Sequence, residues 1–234
     1  MLERGYILHT RPYKERSLLV NAFLEQSGLI SAIVRLPAAK KLAAAKSLLQ
    51  PFQPLHISYR GRTSLKTIET YEAASIAMPL LANKQFCALY INELCQRLLP
   101  YYESMAHLFD VYHQTLLGIA ALESPHPVLR DFEWQLLIQV GAAPLLTQDI
   151  NGDDIVPEKR YCLIFDSGFE CIENNKKRDG YVGEMLLQLA SNQLQPQYAY
   201  SARKLTQSII DPLLGGKPLV SRQLYKNLKG VHCG

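Results

Sequence analysis

The sequence predicts an α+β protein in which five short strands near the N-terminus are followed by a mainly helical region. Two patterns support this prediction. Up to residue 75, apolar and polar residues alternate in short segments, as in half-buried strands. From residue 83 onward, apolar residues recur every three or four positions, as in amphipathic helices. Pro79 separates the two patterns, so we predict one domain at residues 1–79 and a second at 80–234.

The first three strands are predicted to form a meander. They are expected at residues 5–11, 17–24 and 29–36. A turn at 25–28 joins the second strand to the third, because Gly28 can adopt a positive φ without steric cost. Successive antiparallel strands joined in this way form one continuous sheet.

The segment 38–49 reads AAKKLAAAKSLL, which has high helix propensity and no β-branched residue. It fits either a short helix or a mobile loop. Strands are predicted after it at 55–60 and 65–75, joined by a turn at 61–64. Five strands with an insertion after the third match the plan of an OB-fold barrel, a fold that commonly binds single-stranded nucleic acid.

The helical region is predicted from its apolar spacing and its stop signals. Ser104 is expected to cap the second helix, and Gly141 is expected to end the third. Residues 142–182 follow neither period and are predicted to form a small irregular subdomain containing a hairpin at 161–172. The predicted helices cover 85–99, the segment between Ser104 and Glu123, 127–140, 182–192, 201–214 and 221–228.

The net charge of +4 is distributed unevenly along the chain. Residues 1–80 contain 11 Lys and Arg against 5 Asp and Glu, which gives +6. Residues 81–202 contain 8 against 15, which gives −7, and residues 203–234 contain 6 against 1, which gives +5. A basic start and a basic end indicate an anionic partner such as nucleic acid, although a chance distribution of charges is the alternative.

Several classes of protein are disfavoured by the sequence. No window of about 18 consecutive apolar residues is present, which argues against a membrane-spanning helix. The N-terminus lacks the apolar core of a signal peptide, so we expect a cytoplasmic location. The odd number of cysteines and the absence of a C-x-x-C pair predict reduced thiols rather than a disulfide framework. The cysteines are Cys87, Cys95, Cys162, Cys171 and Cys233.

Motifs for catalysis or metal binding are incomplete. The segment GGKP at 215–218 lacks the earlier glycine and the following Ser or Thr of a P-loop. The acidic segment 149–160 lacks the Gly and Glu that a calcium-binding EF-hand loop requires at its sixth and twelfth positions. Cys162 and Cys171 are too few for a structural zinc site. No nucleophile–histidine pattern is present, so we expect a protein that is not an enzyme and that needs no cofactor.

The basic residues of the strand region are the candidate DNA contacts. We predict that they bind phosphates, with solvated surface charges as the alternative. Nearby aromatic residues are candidates for base stacking, and of these Phe52 and Tyr59 are favoured as core residues while Tyr13 is not. The predicted contacts are Arg11, Lys14, Arg16, Arg35, Lys40, Lys41, Lys46, Arg60, Arg62 and Lys66, with Arg203, Lys204, Lys217 and Arg222 extending the surface.

Four stretches of the chain together resemble the bacterial recombination mediators of the RecO family. They read LHTRPYKERSLL at 8–19, LQPFQPL at 49–55, LYINELCQRLL at 89–99 and LLGGKPLVSRQL at 213–224. The resemblance runs nearly end to end, and it implies an N-terminal OB-fold followed by a helical domain with an inserted subdomain. It also implies binding to single- and double-stranded DNA and ATP-independent annealing of complementary strands.

The resemblance further implies partners in the repair of DNA gaps and breaks through the RecF pathway. These are the acidic C-terminal tail of single-stranded-DNA-binding protein (SSB), which family members bind, and RecR, with which they help load RecA onto SSB-coated DNA. The implied location is the cytoplasm, in association with the nucleoid. Arg130 stands where family members place a basic residue for the tail, with Leu129, Leu136 and Leu137 as expected groove residues. The alternative for Arg130 is a salt bridge with Glu133.

The sequence differs from the RecO family in one respect, and it also allows one alternative function. Many RecO relatives carry four cysteines for zinc in the inserted subdomain, whereas this chain has only Cys162 and Cys171 there. The alternative function is a protein-only interaction scaffold whose basic surface is incidental. A DNA-binding protein would lose affinity as salt rises, and a scaffold would have no DNA affinity to lose.

Overall fold

A computed structural model of the chain describes residues 2–81, 83–172 and 180–231. The chain divides by its internal contacts into two compact units. The barrel unit comprises Met1–Leu122 together with Leu219–Gly234, and the hairpin unit comprises Glu123–Pro218. The predicted border at residue 79 marks the change from strands to helices and stays a prediction.

The secondary structure is α+β, as predicted. The elements in chain order are β1 (Leu2–Pro12), β2 (Ser17–Leu24), β3 (Gly28–Arg35), α1 (Ala39–Leu48), β4 (Leu55–Arg60), β5 (Leu65–Ala73), α2 (Asn83–Leu98), α3 (Ala106–Ala121), α4 (His126–Gln139), β6 (Arg160–Ile164), β7 (Gly168–Cys171), β8 (Tyr181–Val182), α5 (Gly183–Ala190), α6 (Ala199–Leu213) and α7 (Val220–Val231).

Strands β1 to β5 close into a barrel in the order β1-β2-β3-β5-β4. The β3–β5 pair is parallel, and the other pairs are antiparallel. The insertion between β3 and β4 is the helix α1, so the helical alternative for this segment is confirmed. The predicted OB-fold plan, with a helix after the third strand, is therefore confirmed.

The barrel is filled by the inward-facing apolar residues of its strands. In β3, buried Ile30, Ala32 and Val34 alternate with Ser31 and Ile33, which are only partly buried. This period of two assigns the first set to the interior and the second set to the outside of the barrel. The same alternation in the neighbouring strands gives one continuous apolar core.

In the barrel unit, helix α3 buries one complete side. The buried residues are Leu108, Phe109, Tyr112, Thr115, Leu116 and Ile119, which confirms the predicted apolar face. The predicted cap at Ser104 is wrong, because Met105 occupies the position before the helix and no side chain caps it. Met105 is almost fully buried, so apolar packing rather than a hydroxyl cap fixes the start of α3.

In the hairpin unit, helices α4, α5 and α6 accompany a three-stranded sheet in the order β7-β6-β8. The predicted hairpin is confirmed, and β8 adds a third strand to it. Gly141 has a φ of +71° directly after α4, and the Gly141 and Ala142 amides donate to the carbonyls of Ile138 and Leu137. The predicted glycine stop is therefore confirmed as a Schellman motif.

Two features are absent from the residues that the structure describes. None of their helices combines the length and the hydropathy that a membrane crossing requires. Nor does any group of three or more His, Cys, Asp or Glu side chains stand close enough to hold a metal ion.

Candidate nucleic-acid interface

One part of the outer surface of the barrel is formed by strands β1, β2 and β3, and we call it the outer strand face. Its residues share a side because directly opposed residues of antiparallel strands point the same way. One row runs across His9, Asn21 and Ser31, and the next runs across Arg11, Leu19 and Ile33. Arg35 lies opposite Ser17 and completes the face.

Helix α3 covers the neighbouring part of the same strands. Tyr6 and Phe23 are paired across β1 and β2, and both are buried. The Phe23 ring lies 5.5 Å from that of Phe109 and 5.8 Å from that of Tyr112, both in edge-to-face arrangements. This aromatic cluster attaches α3 to the barrel and leaves the outer strand face open.

Tyr101 and Tyr102 border the outer strand face where the chain returns from α2. The Tyr102 amide donates to the Leu29 carbonyl at 2.9 Å. Tyr101 pairs with the same residue in a single parallel β-bridge. The Tyr101 hydroxyl accepts a hydrogen bond of 3.3 Å from the Asn21 side chain. The Tyr102 hydroxyl donates to the Ser64 carbonyl in the β4–β5 loop. Both tyrosines are therefore held against the barrel by main-chain and side-chain bonds.

A polar pocket of about 280 Å³ lies between Tyr101 and the strands. Tyr101 remains 41% exposed, so its ring is accessible to a ligand. Partial burial raises the pKa of the Tyr101 hydroxyl, with a further rise from Tyr102 and an opposing effect from the Arg11 charge. The Tyr101 hydroxyl therefore stays protonated, and the side chain is uncharged, at physiological pH. The pocket is lined by His9, Arg11, Leu19, Asn21, Ser31, Gln96 and Tyr101.

The predicted cations of the barrel differ in whether an acidic side chain already neutralises them. Arg60 pairs with Glu69 at 3.2 Å. Lys66 donates to the Gly61 carbonyl at 3.1 Å and lies 5.0 Å from the centre of the Tyr102 ring. The remaining barrel cations have no ion pair with a described carboxylate and are exposed. They are Arg11, Lys14, Arg16, Arg35, Lys40, Lys41, Lys46 and Arg62.

Several of these exposed cations lie on or beside the outer strand face: Arg11 and Arg35 are on its strands. Lys14 and Arg16 lie in the β1–β2 loop, and Arg62 lies in the β4–β5 loop. OB-folds commonly bind oligonucleotides on the β2–β3 face and with these two loops. Helix α1 buries Ala45 while Lys40, Lys41 and Lys46 are exposed. The barrel thus presents unpaired positive charge on its strands, its loops and its inserted helix.

The predicted C-terminal cations are divided between the two units. Arg203, Lys204 and Lys217 belong to the hairpin unit, where Lys204 lies 5.1 Å from the centre of the Tyr200 ring. Arg222 belongs to the barrel unit and donates to the Tyr90 hydroxyl at 3.3 Å. Their continuity with the barrel cations stays a prediction.

The residues predicted for the SSB tail all lie on α4 and are buried. Leu129, Leu136 and Leu137 are at most 4% exposed. Arg130 is 5% exposed, and its Nη2 lies 2.7 Å from Glu133 Oε1. The salt bridge that the sequence offered as the alternative is therefore present, and the tail contact stays a prediction.

The same part of α4 carries two polar atoms without a hydrogen-bond partner in the described chain, Nε of Arg130 and Oδ1 of Asp131. Burial raises the pKa of Asp131 to about 7, against an opposing effect of the Arg130 charge. Glu133 also accepts a hydrogen bond from the Thr206 hydroxyl of α6. The start of α4 therefore holds a concentrated group of partly satisfied charges.

Cys162 and Cys171 point to opposite sides of the β6–β7 hairpin. Cys162 is opposite Glu170, and Cys171 is opposite Tyr161, so neighbouring positions alternate between the two faces. The Cys162 thiol lies 3.6 Å from a Glu170 carboxylate oxygen. These two thiols are not arranged as a pair of ligands for one metal ion.

Sequence reasoning missed Tyr101, Tyr102 and Gln96 as parts of the open face. The only local signal is a pair of tyrosines directly after Pro100, where α2 has ended. Phe52 is 7% exposed and belongs to the core, and Tyr59 packs against that core. The preference for core positions at these two aromatics is therefore confirmed.

Two family models match this chain and together cover most of it. The model described as Recombination protein O N terminal matches residues 1–77, and the model described as Recombination protein O C terminal matches residues 82–223. The chain belongs to the RecO family. The family resemblance inferred from the four sequence stretches is therefore confirmed.

Individual RecO relatives are similar over nearly their whole length. A protein named DNA repair protein RecO from Pseudomonas paraeruginosa is 38% identical over 224 residues, which is 96% of this chain and 94% of the relative. Proteins of the same name are 37% identical in Stutzerimonas stutzeri (98% and 95% covered) and 35% identical in Pseudoalteromonas atlantica (95% and 92% covered). These relatives support a role in DNA repair and recombination for this RecO-family protein.

Proposed function

We propose that this RecO-family protein is a recombination mediator that binds single- and double-stranded DNA and anneals complementary strands without ATP. It engages the acidic tail of SSB and, with RecR, promotes RecA loading during the repair of gaps and breaks. It works in the cytoplasm as a binding protein rather than as an enzyme. The observation that carries this proposal is the open outer strand face, which carries Arg11 and Arg35 and has Lys14 and Arg16 in the adjoining loop, all without described acidic partners.

Phosphate binding by these cations explains how annealing proceeds without an energy source. Two DNA strands repel each other through their phosphates, and a basic surface lowers that repulsion when it binds both. Arg11, Lys14 and Arg35 are exposed and unpaired with described carboxylates, so phosphates need not displace an existing ion pair there. Complementary bases then meet at a higher local concentration.

The SSB tail is proposed to bind at α4 through Arg130, beside the apolar residues Leu129, Leu136 and Leu137. Support comes from the Arg130 guanidinium, whose Nε lacks a partner in the described chain. An acidic tail is a suitable ligand for a guanidinium, which binds carboxylates in a two-pronged geometry. Because Arg130 is buried and paired with Glu133, tail binding requires this side chain to turn toward the tail carboxylate.

An ATP-free annealing assay tests the central proposal. Complementary strands are coated either with intact SSB or with SSB that lacks its acidic tail, and duplex formation is followed by fluorescence transfer. We expect faster annealing with intact SSB and loss of that gain without the tail. If bare strands annealed and the SSB tail made no difference, DNA binding would be supported and the proposed SSB contact would be contradicted.

The tail site is tested with Arg130→Lys, which keeps the charge and loses the two-pronged geometry. We expect weaker binding of a fluorescent SSB tail peptide, with the thermal midpoint close to that of the wild type. Arg203→Lys is the matched control, because Arg203 is an exposed arginine on α6 of the same unit. If Arg130→Lys and Arg203→Lys bound the peptide with equal affinity, the tail would not bind at Arg130 on α4.

The scaffold alternative is favoured by one observation, an apolar groove of about 580 Å³ in the hairpin unit. Leu145 and Phe165 line it and are 67% and 61% exposed. Exposed apolar side chains of this kind are typical of protein-binding surfaces.

A salt titration of DNA affinity distinguishes the scaffold function from DNA binding. If about five cations contact single-stranded phosphates, the plot of log K against log salt has a slope of about −3.5. A scaffold without DNA affinity gives no such plot.

A further inference from the structure

We propose that the polar pocket beside Tyr101 receives one unpaired base of a single DNA strand. This inference rests on the proposed function, because it specifies how DNA bound to the barrel is recognised. It assigns the pocket a ligand class, an unstacked nucleobase. The nearby cations bind the phosphates on either side of that base.

The first support is the position of the pocket. It opens on the outer strand face, and Arg11 forms part of its lining. A strand whose phosphate is bound by Arg11 therefore has its neighbouring base at the mouth of the pocket. Further unpaired cations, Lys14 and Arg16, lie in the loop that follows β1 and can hold the adjoining phosphates.

The second support is the chemistry of the lining. Tyr101 presents an exposed and neutral aromatic ring, which is a suitable surface for stacking a base of any sequence. Asn21, Ser31 and Gln96 supply amide and hydroxyl groups in the same pocket. Such groups both donate and accept hydrogen bonds, so they can bond to the edge of an unpaired base.

The third support is that the pocket is already formed. The Leu29 bridge positions Tyr101, and the Asn21 side chain donates to the Tyr101 hydroxyl at 3.3 Å. The adjacent Tyr102 is fixed by the Leu29 carbonyl. A ring held in place before binding loses little conformational freedom when a base stacks on it, which favours affinity.

The consequence is selectivity for single strands at this position. A base inside a duplex has its faces stacked and its pairing edge occupied, so it cannot enter a pocket of this kind without being extruded. Duplex DNA is therefore held by phosphate contacts alone. During annealing, a base in the pocket must be released before it pairs, so the pocket favours the open strand over the product.

The test compares affinities of Tyr101→Ala for a single strand and for a duplex of the same length. We expect the Kd for the single strand to rise about tenfold while the Kd for the duplex changes by less than about twofold. Tyr200→Ala is the matched control, since Tyr200 is an exposed tyrosine near a lysine, outside the barrel unit. Tyr101→Phe keeps the ring but loses the hydrogen bond from Asn21, so its single-strand affinity should fall less than that of Tyr101→Ala.

A second readout reports on the base directly. An oligonucleotide containing fluorescent 2-aminopurine is expected to lose emission on binding the wild type and Tyr200→Ala, through stacking on Tyr101, and to keep it with Tyr101→Ala. Equal weakening of single strands and duplex by Tyr101→Ala, or unchanged quenching, would overturn the base pocket while leaving DNA binding intact. Failure of the wild type to bind either DNA would instead overturn the proposed function itself.

Discussion

Asp131 on α4 shows how a single half-buried carboxyl group links stability to pH. Its ordinary pKa of 3.8 is raised to about 7, first of all by burial. The folded protein therefore binds this proton more tightly than the unfolded chain does. The stabilisation from the bound proton is fully present below pH 4 and is lost as the pH rises toward 7.

The residue-level prediction is that Asp131→Asn stabilises the protein at pH 8 and has little effect at pH 4. Asparagine resembles the protonated carboxyl group and carries no charge to bury. Because Asp131 is partly exposed, we expect a gain of about 1–2 kcal/mol in the free energy of unfolding at pH 8. Urea unfolding at both pH values measures it, with the exposed Glu123→Gln as control. Equal gains at both pH values would show that proton binding is not the cause.

At the level of elements, the β2–β3 hairpin depends on a glycine that lies under the tyrosine segment. Gly28 has a φ of +68°, and a side chain there would overlap the carbonyl of Glu103. The adjacent Leu29 carbonyl accepts the Tyr102 amide. This close approach of two main chains is what brings Tyr101 and Tyr102 onto the outer strand face.

We predict that Gly28→Ala destabilises the protein by about 2–4 kcal/mol, because it adds a steric overlap to an unfavourable φ. It should also weaken single-strand binding, since the tyrosine segment must move. Gly141→Ala is the control, because Gly141 has a φ of +71° but open space around it. Its cost should be about 1 kcal/mol. If urea unfolding gave equal losses for both variants, the packing of Glu103 on the hairpin would not matter.

The elements also show which parts of the structure the sequence could predict. The strands β2 and β4 and the buried side of α3 follow from local apolar periodicity, and they were predicted to within a residue or two. The placement of Tyr101 depends on a contact with Leu29, 72 positions earlier in the chain, which no local pattern encodes. The burial of Arg130 depends in the same way on the packing of α4, although Glu133 was visible as a partner three residues on.

For the whole molecule, the uneven charge along the sequence becomes a separation of charge between the two units. The barrel unit contains 16 Lys and Arg against 8 Asp and Glu, a net charge of +8. The hairpin unit contains 9 against 13, a net charge of −4. An anionic polymer is therefore attracted by the first unit and, on average, repelled by the second. The basic residues Arg203, Lys204 and Lys217 are local exceptions within an acidic unit.

This separation predicts that the barrel dominates the salt dependence of DNA binding. Replacing Lys14, Arg16 and Arg35 with Gln should make the slope of log K against log salt for single strands shallower by about 2, since each lost phosphate contact removes about 0.7. The matched variant replaces Arg203, Lys204 and Lys217 with Gln, which removes the same charge from the hairpin unit. We expect a smaller change from that variant, because its surroundings are acidic. Equal changes in slope would mean that the bound strand contacts both units, and the C-terminal cations would then rank with those of the barrel.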